Sequence, residues 1–86
     1  MYRILFTPSA DQALRRMPRE LAQRIRERLD QLAAAPYAPH PTVTRLQNRA
    51  GYRLRVGKYR VLYERFEDRL LILVVAVKPR GEAYKE

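Results

Sequence analysis

The chain has 86 residues, with 18 Lys or Arg against 9 Asp or Glu, a net charge of +9, and 47% apolar side chains. That length supports one small core, so residues 1–86 read as a single domain, and the apolar content sets it apart from a disordered basic tail. No Cys and a single His exclude a disulfide scaffold, thiolate catalysis and the usual zinc sites, and no cofactor is expected.

Tyr2 to Phe6 reads as a short strand, stopped by Thr7-Pro8. A helix follows, opened either by Ser9 with Gln12 as a capping box or by Thr7 with Pro8 in the first helical position. It carries Ala10, Leu14 and Met17 at helical spacing. Pro18 ends it and opens a second helix, whose apolar positions Leu21, Ile25, Leu29 and Leu32 step by three and four. The outer face, with Arg19, Arg24, Arg26 and Arg28 among Glu20, Glu27 and Asp30, reads as solvated. Pro36, Pro39 and Pro41 then punctuate an irregular connector, with a short edge strand expected within Thr42 to Gln47. His40 lies there between prolines, where nothing in the sequence would tune an imidazole for catalysis.

Beyond the connector the period changes to two. Tyr52, Leu54 and Val56 alternate with Arg53 and Arg55, and Tyr59, Val61 and Tyr63 alternate with Arg60, Leu62 and Glu64. Gly57-Lys58 fits a two-residue hairpin loop with Gly first, which sets Val56 opposite Tyr59, Leu54 opposite Val61 and Tyr52 opposite Tyr63. That apolar side belongs to the core. On the other side Arg55 falls opposite Arg60, with Arg53 one step along beside Leu62. Like charges across a strand pair cost up to roughly 1 kcal/mol, which folding alone does not explain and a bound anion does. Replacing either arginine is therefore expected to spare stability. Glu67-Asp68 reads as a turn, and Arg69 to Val77, almost unbroken in its apolar run, as an interior strand. That run is far below the ~20 residues needed to cross a bilayer, and the N-terminus lacks a signal peptide's apolar stretch, so a cytoplasmic protein with no membrane partner is expected.

The charge is uneven: residues 1–43 hold 7 basic and 4 acidic side chains, residues 44–86 hold 11 and 5. The function is therefore sought in the second half. Its turn-rich tail, Lys78 to Tyr84, can return Arg80 and Tyr84 over the arginine face. Guanidinium groups beside a phenol suit RNA, the first gripping phosphate and the second stacking on an unpaired base.

Gly51 to Tyr63, within a stretch from Leu46, and the tail Val77-Lys78-Pro79-Arg80-Gly81-Glu82-Ala83-Tyr84 resemble the core hairpin and closing segment of the RelE/ParE superfamily, the small basic toxins of bacterial toxin–antitoxin pairs. The resemblance implies an α+β fold, a two-layer sandwich with an N-terminal strand and then a helical hairpin packed on a mainly antiparallel sheet. In the branch similar to RelE it implies an enzyme that enters the ribosome and cuts mRNA by attack of the RNA's own 2′-OH, without a metal. Carried over by position, Arg53 and Arg55 stand where that branch has basic residues, often Lys. Arg60 matches an Arg that holds the phosphate, Arg80 one that assists the leaving 5′-oxygen, and Tyr84 the aromatic that stacks on the base and takes the 2′ proton. A guanidinium is a poor base, which leaves Tyr84 as the better proton acceptor. The implied partners are the ribosome, mRNA and a cognate antitoxin with an acidic or amphipathic neutralising segment. A DNA gyrase poison of the ParE type and a non-catalytic basic RNA-binding module are the alternatives.

Overall fold

A computed structural model of the protein describes residues 1–79. The elements are β1 (Arg3–Phe6), α1 (Pro8–Arg16), α2 (Arg19–Ala34), β2 (Val43–Arg45), β3 (Tyr52–Val56), β4 (Tyr59–Phe66) and β5 (Leu71–Pro79). They form the expected α+β sandwich, two helices on a five-stranded sheet of order β1-β5-β4-β3-β2. Every pairing is antiparallel except that of β1 with β5.

Local chemistry accounts for the boundaries. Of the two capping possibilities at α1 the protein uses Thr7, whose Oγ1 accepts from the Ala10 amide, with Pro8 opening the helix. The same hydroxyl donates to the Val75 carbonyl at 3.1 Å, and the Thr7 amide donates to the Val74 carbonyl at 3.0 Å, so the cap is also sewn to the middle of β5. Pro18 stands immediately before α2, which buries Ile25, Leu29, Leu32 and Ala33. These side chains meet Ala10 and Leu14 of α1 and Leu54, Val56, Val61, Tyr63, Ile72, Val74 and Val77 of the sheet, all on the helix side.

The β3–β4 hairpin has the register expected of it. Val56 pairs with Tyr59, Arg55 with Arg60, Leu54 with Val61, Arg53 with Leu62 and Tyr52 with Tyr63. Gly57 takes a φ of 58°, suiting a two-residue turn with Gly first. The Tyr52 and Tyr63 rings stack across the strands with centroids 5.4 Å apart. Turn residues Glu67 to Leu70 join β4 to β5.

β5 carries an irregularity that its apolar run conceals. Tyr63 pairs with Val74 but Leu62 with Ala76, so Val75 is an extra residue, a β-bulge. Strict alternation from Ile72 would turn Ala76 and Lys78 toward the helices; the bulge turns Val77 inward and Lys78 outward. The Thr7 contacts to Val74 and Val75 fall at this bulge.

The connector after α2 is held at several points. Arg65, on the same side as Tyr63, donates from Nη1 to the Pro36 carbonyl and from Nη2 to the Tyr52 hydroxyl, each at 2.9 Å. Its guanidinium lies 4.8 Å from the ring centroids of both Tyr37 and Tyr52. The Tyr37 and Tyr2 hydroxyls share a 2.9 Å hydrogen bond, which is the main reason the Tyr37 phenol is pushed up to about 12. Nearer β2, Arg28 hydrogen-bonds the Thr42 hydroxyl, and the His40 ring donates from Nε2 to the Ala35 carbonyl.

Two outcomes test this packing. Leu54→Ala should destabilise the protein by about 2–5 kcal/mol in denaturant titrations through a core cavity. Gly51 has a φ of 117°, and a Cβ there would come within 2.7 Å of the Tyr63 carbonyl, so Gly51→Ala should also lower the midpoint. Burial pushes the Tyr63 phenol up to about 12 from its ordinary value of 10.0. The stabilisation from keeping that phenol neutral is complete below pH 10 and is lost as pH rises toward 12. Tyr63→Phe should accordingly flatten part of the alkaline fall in melting temperature.

Candidate RNA interface

The face of the sheet turned away from the helices gathers the cations. Arg53 and Arg55 leave β3 on this side and Arg60 leaves β4, because residues directly opposite in an antiparallel pair share a face. Together with Pro41 and Thr42 of the connector and Thr44 of β2 they line a cleft of about 120 Å³. The wall is fixed from both sides: the Arg55 amide donates to the Thr42 carbonyl at 2.9 Å, and Thr44 pairs with Arg53.

The three arginines differ in exposure. Arg55 is open to solvent and Arg53 half-buried, whereas Arg60 is only 4% exposed. Its Nη1 donates to the Tyr59 carbonyl at 3.4 Å. Leu62 on the same face is buried as well. The floor of the cleft is therefore drier than an open sheet face, and a charge placed there interacts more strongly with an incoming anion than it would in water. Planar forks converging from two strands suit the oxygens of a phosphate, and the Thr42 and Thr44 hydroxyls add neutral donors at the rim.

Three of the five residues singled out from the sequence, Arg53, Arg55 and Arg60, are thus brought together. Arg80 and Tyr84 lie outside the described residues. The sequence reading missed the cleft's other wall, because Thr42 and Thr44 signal nothing until the connector is folded against β3. It also missed Lys78, which pairs with Arg60 and so extends the Arg55–Arg60 pair to a row of three cations across β3, β4 and β5. His40 is engaged with the Ala35 carbonyl.

Comparison with known proteins bears on this geometry. The family model described as the ParE toxin of the type II toxin–antitoxin system, parDE, matches residues 4–84. Among solved structures, the chain resembles an archaeal RelE–RelB complex from Pyrococcus horikoshii OT3, with 30% identity, a TM-score of 0.78, and coverage of 93% of this chain and 96% of that one. An intact Escherichia coli RelBE toxin–antitoxin complex superposes equally well, with a TM-score of 0.78, 16% identity and coverage of 92% and 96%. A YoeB/ParE toxin from Agrobacterium tumefaciens gives a TM-score of 0.76 at 14% identity, with coverage of 92% and 98%. At those lower identities the likeness is one of fold. No curated protein sequence matches the chain.

The burial of Arg60 changes one expectation drawn from sequence. Arg55→Ala removes an exposed charge from a like-charged pair, so its melting temperature should stay level or rise slightly. Arg60→Ala also removes a packed stem, and its melting temperature should fall. Arg60→Met, which restores the stem without the charge, should recover most of that loss in the same scan.

Proposed function

The chain belongs to the ParE toxin family of type II toxin–antitoxin systems, within the RelE/ParE superfamily, and on that footing we propose that it is a ribosome-dependent mRNA endonuclease. The observation that carries the reading is the cleft in which Arg53, Arg55 and Arg60 converge against Thr42 and Thr44. Folding would not choose such a gathering of like charge, and a scissile phosphate justifies it.

In this reading the 2′-oxygen of the nucleotide 5′ to the cut forms a bond to phosphorus as its proton passes to the Tyr84 phenolate. The bond from phosphorus to the 5′-oxygen breaks, and that oxygen, hydrogen-bonded by Arg80, takes a proton from water as it departs, the resulting hydroxide being balanced by the proton held on Tyr84. The products are a 2′,3′-cyclic phosphate and a 5′-hydroxyl. The phosphorane between them carries more negative charge than the starting diester. Guanidinium groups already aimed at that position favour the transition state over the ground state. Three fixed cations repel a divalent metal from the same cleft, so the arginines take the charge-stabilising part themselves.

The cognate partner is an antitoxin, as in the RelE–RelB complex that the chain resembles, and an acidic segment suits a protein of net charge +9. A ribosomal target places the work in the cytoplasm. Poisoning of DNA gyrase is the second reading, favoured by the match to the ParE model. The two separate cleanly on expression in cells: mapped transcript ends inside open reading frames support the nuclease, and double-strand DNA breaks with intact mRNA support the gyrase poison.

Cleavage by the RNA's own hydroxyl makes a further demand. A substrate with a 2′-deoxy nucleotide 5′ to the scissile phosphate should bind and remain uncut. Tyr84→Phe, which keeps the stacking ring and deletes the phenol, should slow cleavage far more than it weakens binding, and Tyr84→Ala should harm both. Cutting of the deoxy substrate would mean that water attacks instead.

A further inference from the structure

We propose that Lys78 forms a second phosphate subsite, holding the phosphate next to the one gripped by Arg53, Arg55 and Arg60. The inference rests on the RNA reading of the cleft and adds to it the direction in which the strand crosses the sheet.

Parity is the first observation. Arg55 is paired with Arg60, and Arg60 with Lys78, so the three Cα atoms form one row at right angles to the strands, with all three side chains on the face away from the helices. Lys78 belongs to that row only because Val75 is extra; with unbroken alternation it would point at the core. Bulges re-aim side chains and are over-represented beside functional sites. This one is tied by Thr7, whose amide and hydroxyl reach Val74 and Val75.

Distance is the second. Strands are about 4.8 Å apart, which puts Lys78 roughly 10 Å from Arg55 and on the far side of Arg60 from the cleft wall formed by Pro41, Thr42 and Thr44. Arg60 is buried and Lys78 exposed. Lys78 is not part of the cleft's lining, which places its solvated ammonium for the next phosphate of a strand running from β3 toward β5 and not for the one seated against the Arg60 fork. Residue type agrees. The cleft uses planar forks where geometry matters, and the row ends in a flexible point charge, adequate for holding a phosphate that does not react.

The test reads binding alone, so it stands or falls apart from cleavage. The probe is a short single-stranded 2′-O-methyl oligonucleotide, which no 2′-OH attack can cut, titrated against the purified protein at several salt concentrations. Each phosphate contact on a single strand adds about 0.7 to the slope of log affinity against log salt. Lys78→Gln should therefore bind about fivefold more weakly than the parent at 0.1 M salt, with the two converging near 1 M, and should lose about 0.7 of the slope. Lys78→Arg should restore the parent's slope. Inorganic phosphate, which fills one site only, should bind the parent and Lys78→Gln alike. Equal slopes for the parent and Lys78→Gln, or no salt-dependent binding by either, would overturn the proposal. So would an equal weakening of inorganic phosphate, which would place Lys78 in the cleft itself. Failure of the nuclease reading shows elsewhere, as transcripts left intact in cells.

Discussion

The parity of two strand pairings governs where this protein puts its charge. A slip of one residue in the β3–β4 hairpin would turn one strand over, carrying either Arg53 and Arg55 or Arg60 into the helix interface and expelling Leu54 and Val56, or Val61, in exchange. The turn at Gly57-Lys58 prevents the slip, since a two-residue loop leaves one register for the strands it joins, and the apolar side enforces the same register from the core. On β5 the parity changes midway. Val75 is inserted so that Val74 and Val77, three apart, both face the helices, and the strand leaves the core with its next cation on the arginine face. Thr7 ties this change to the start of α1, so helix capping and charge placement share one hydroxyl.

Given that parity, the sandwich divides its labour between faces. Stability comes from the helix side, where a continuous apolar cluster joins both helices to β3, β4 and β5, with Ile4 and Phe6 of β1 and Val43 of β2 packed against it. The other face can then carry an arrangement that is unfavourable in itself, with Arg55 against Arg60 and Arg60 against Lys78. The cost, up to roughly 1 kcal/mol for each opposed pair, is small beside the burial energy of the core. In the proposed function, a bound phosphate would offset it. Electrostatic strain of this kind is what a preorganised phosphate site requires, because the donors stand in place before the negative charge develops.

Much of this was legible in the sequence. The period-two alternation around Gly57-Lys58 identified the hairpin, its register and the face of each arginine, because alternation and a two-residue turn agree on one answer. Thr7-Pro8 and Pro18 marked the helix starts, since proline belongs in the first turn and fails further in. The bulge was hidden because every residue from Leu70 to Val77 is apolar, and a shift of parity inside a uniform run leaves no trace. Lys78 was consequently read as a tail residue and not as part of a row. Arg60 and Arg65 were hidden for another reason. Arg60 alternates like a surface residue and Arg65 is a cation on the core parity, and only the folded connector and the neighbouring strands show that one forms the cleft floor while the other is enclosed by tyrosines.

Arg65 makes the contrast that clarifies the cleft. Its guanidinium faces Tyr37 and Tyr52, donates to Pro36 and to Tyr52, and lies 3.4 Å from Glu67 in the exposed turn after β4. Every one of those partners is protein, and what they secure is the first turn of the connector. The far end of the same connector, pinned by Arg28 at Thr42, is a wall of the cleft. Two arginines are thus spent on holding a segment that three prolines make irregular, and three others face the space which that segment encloses. An irregular segment keeps one shape only when its polar groups are satisfied by rigid neighbours. Arg28 on a helix and Arg65 on a strand are such neighbours, so the spacing between the Thr42 rim and the Arg60 floor is set before any ligand arrives. In the proposed function, a phosphate entering the cleft would meet donors that need little reorganisation, leaving the energy of its binding for the change in charge that follows.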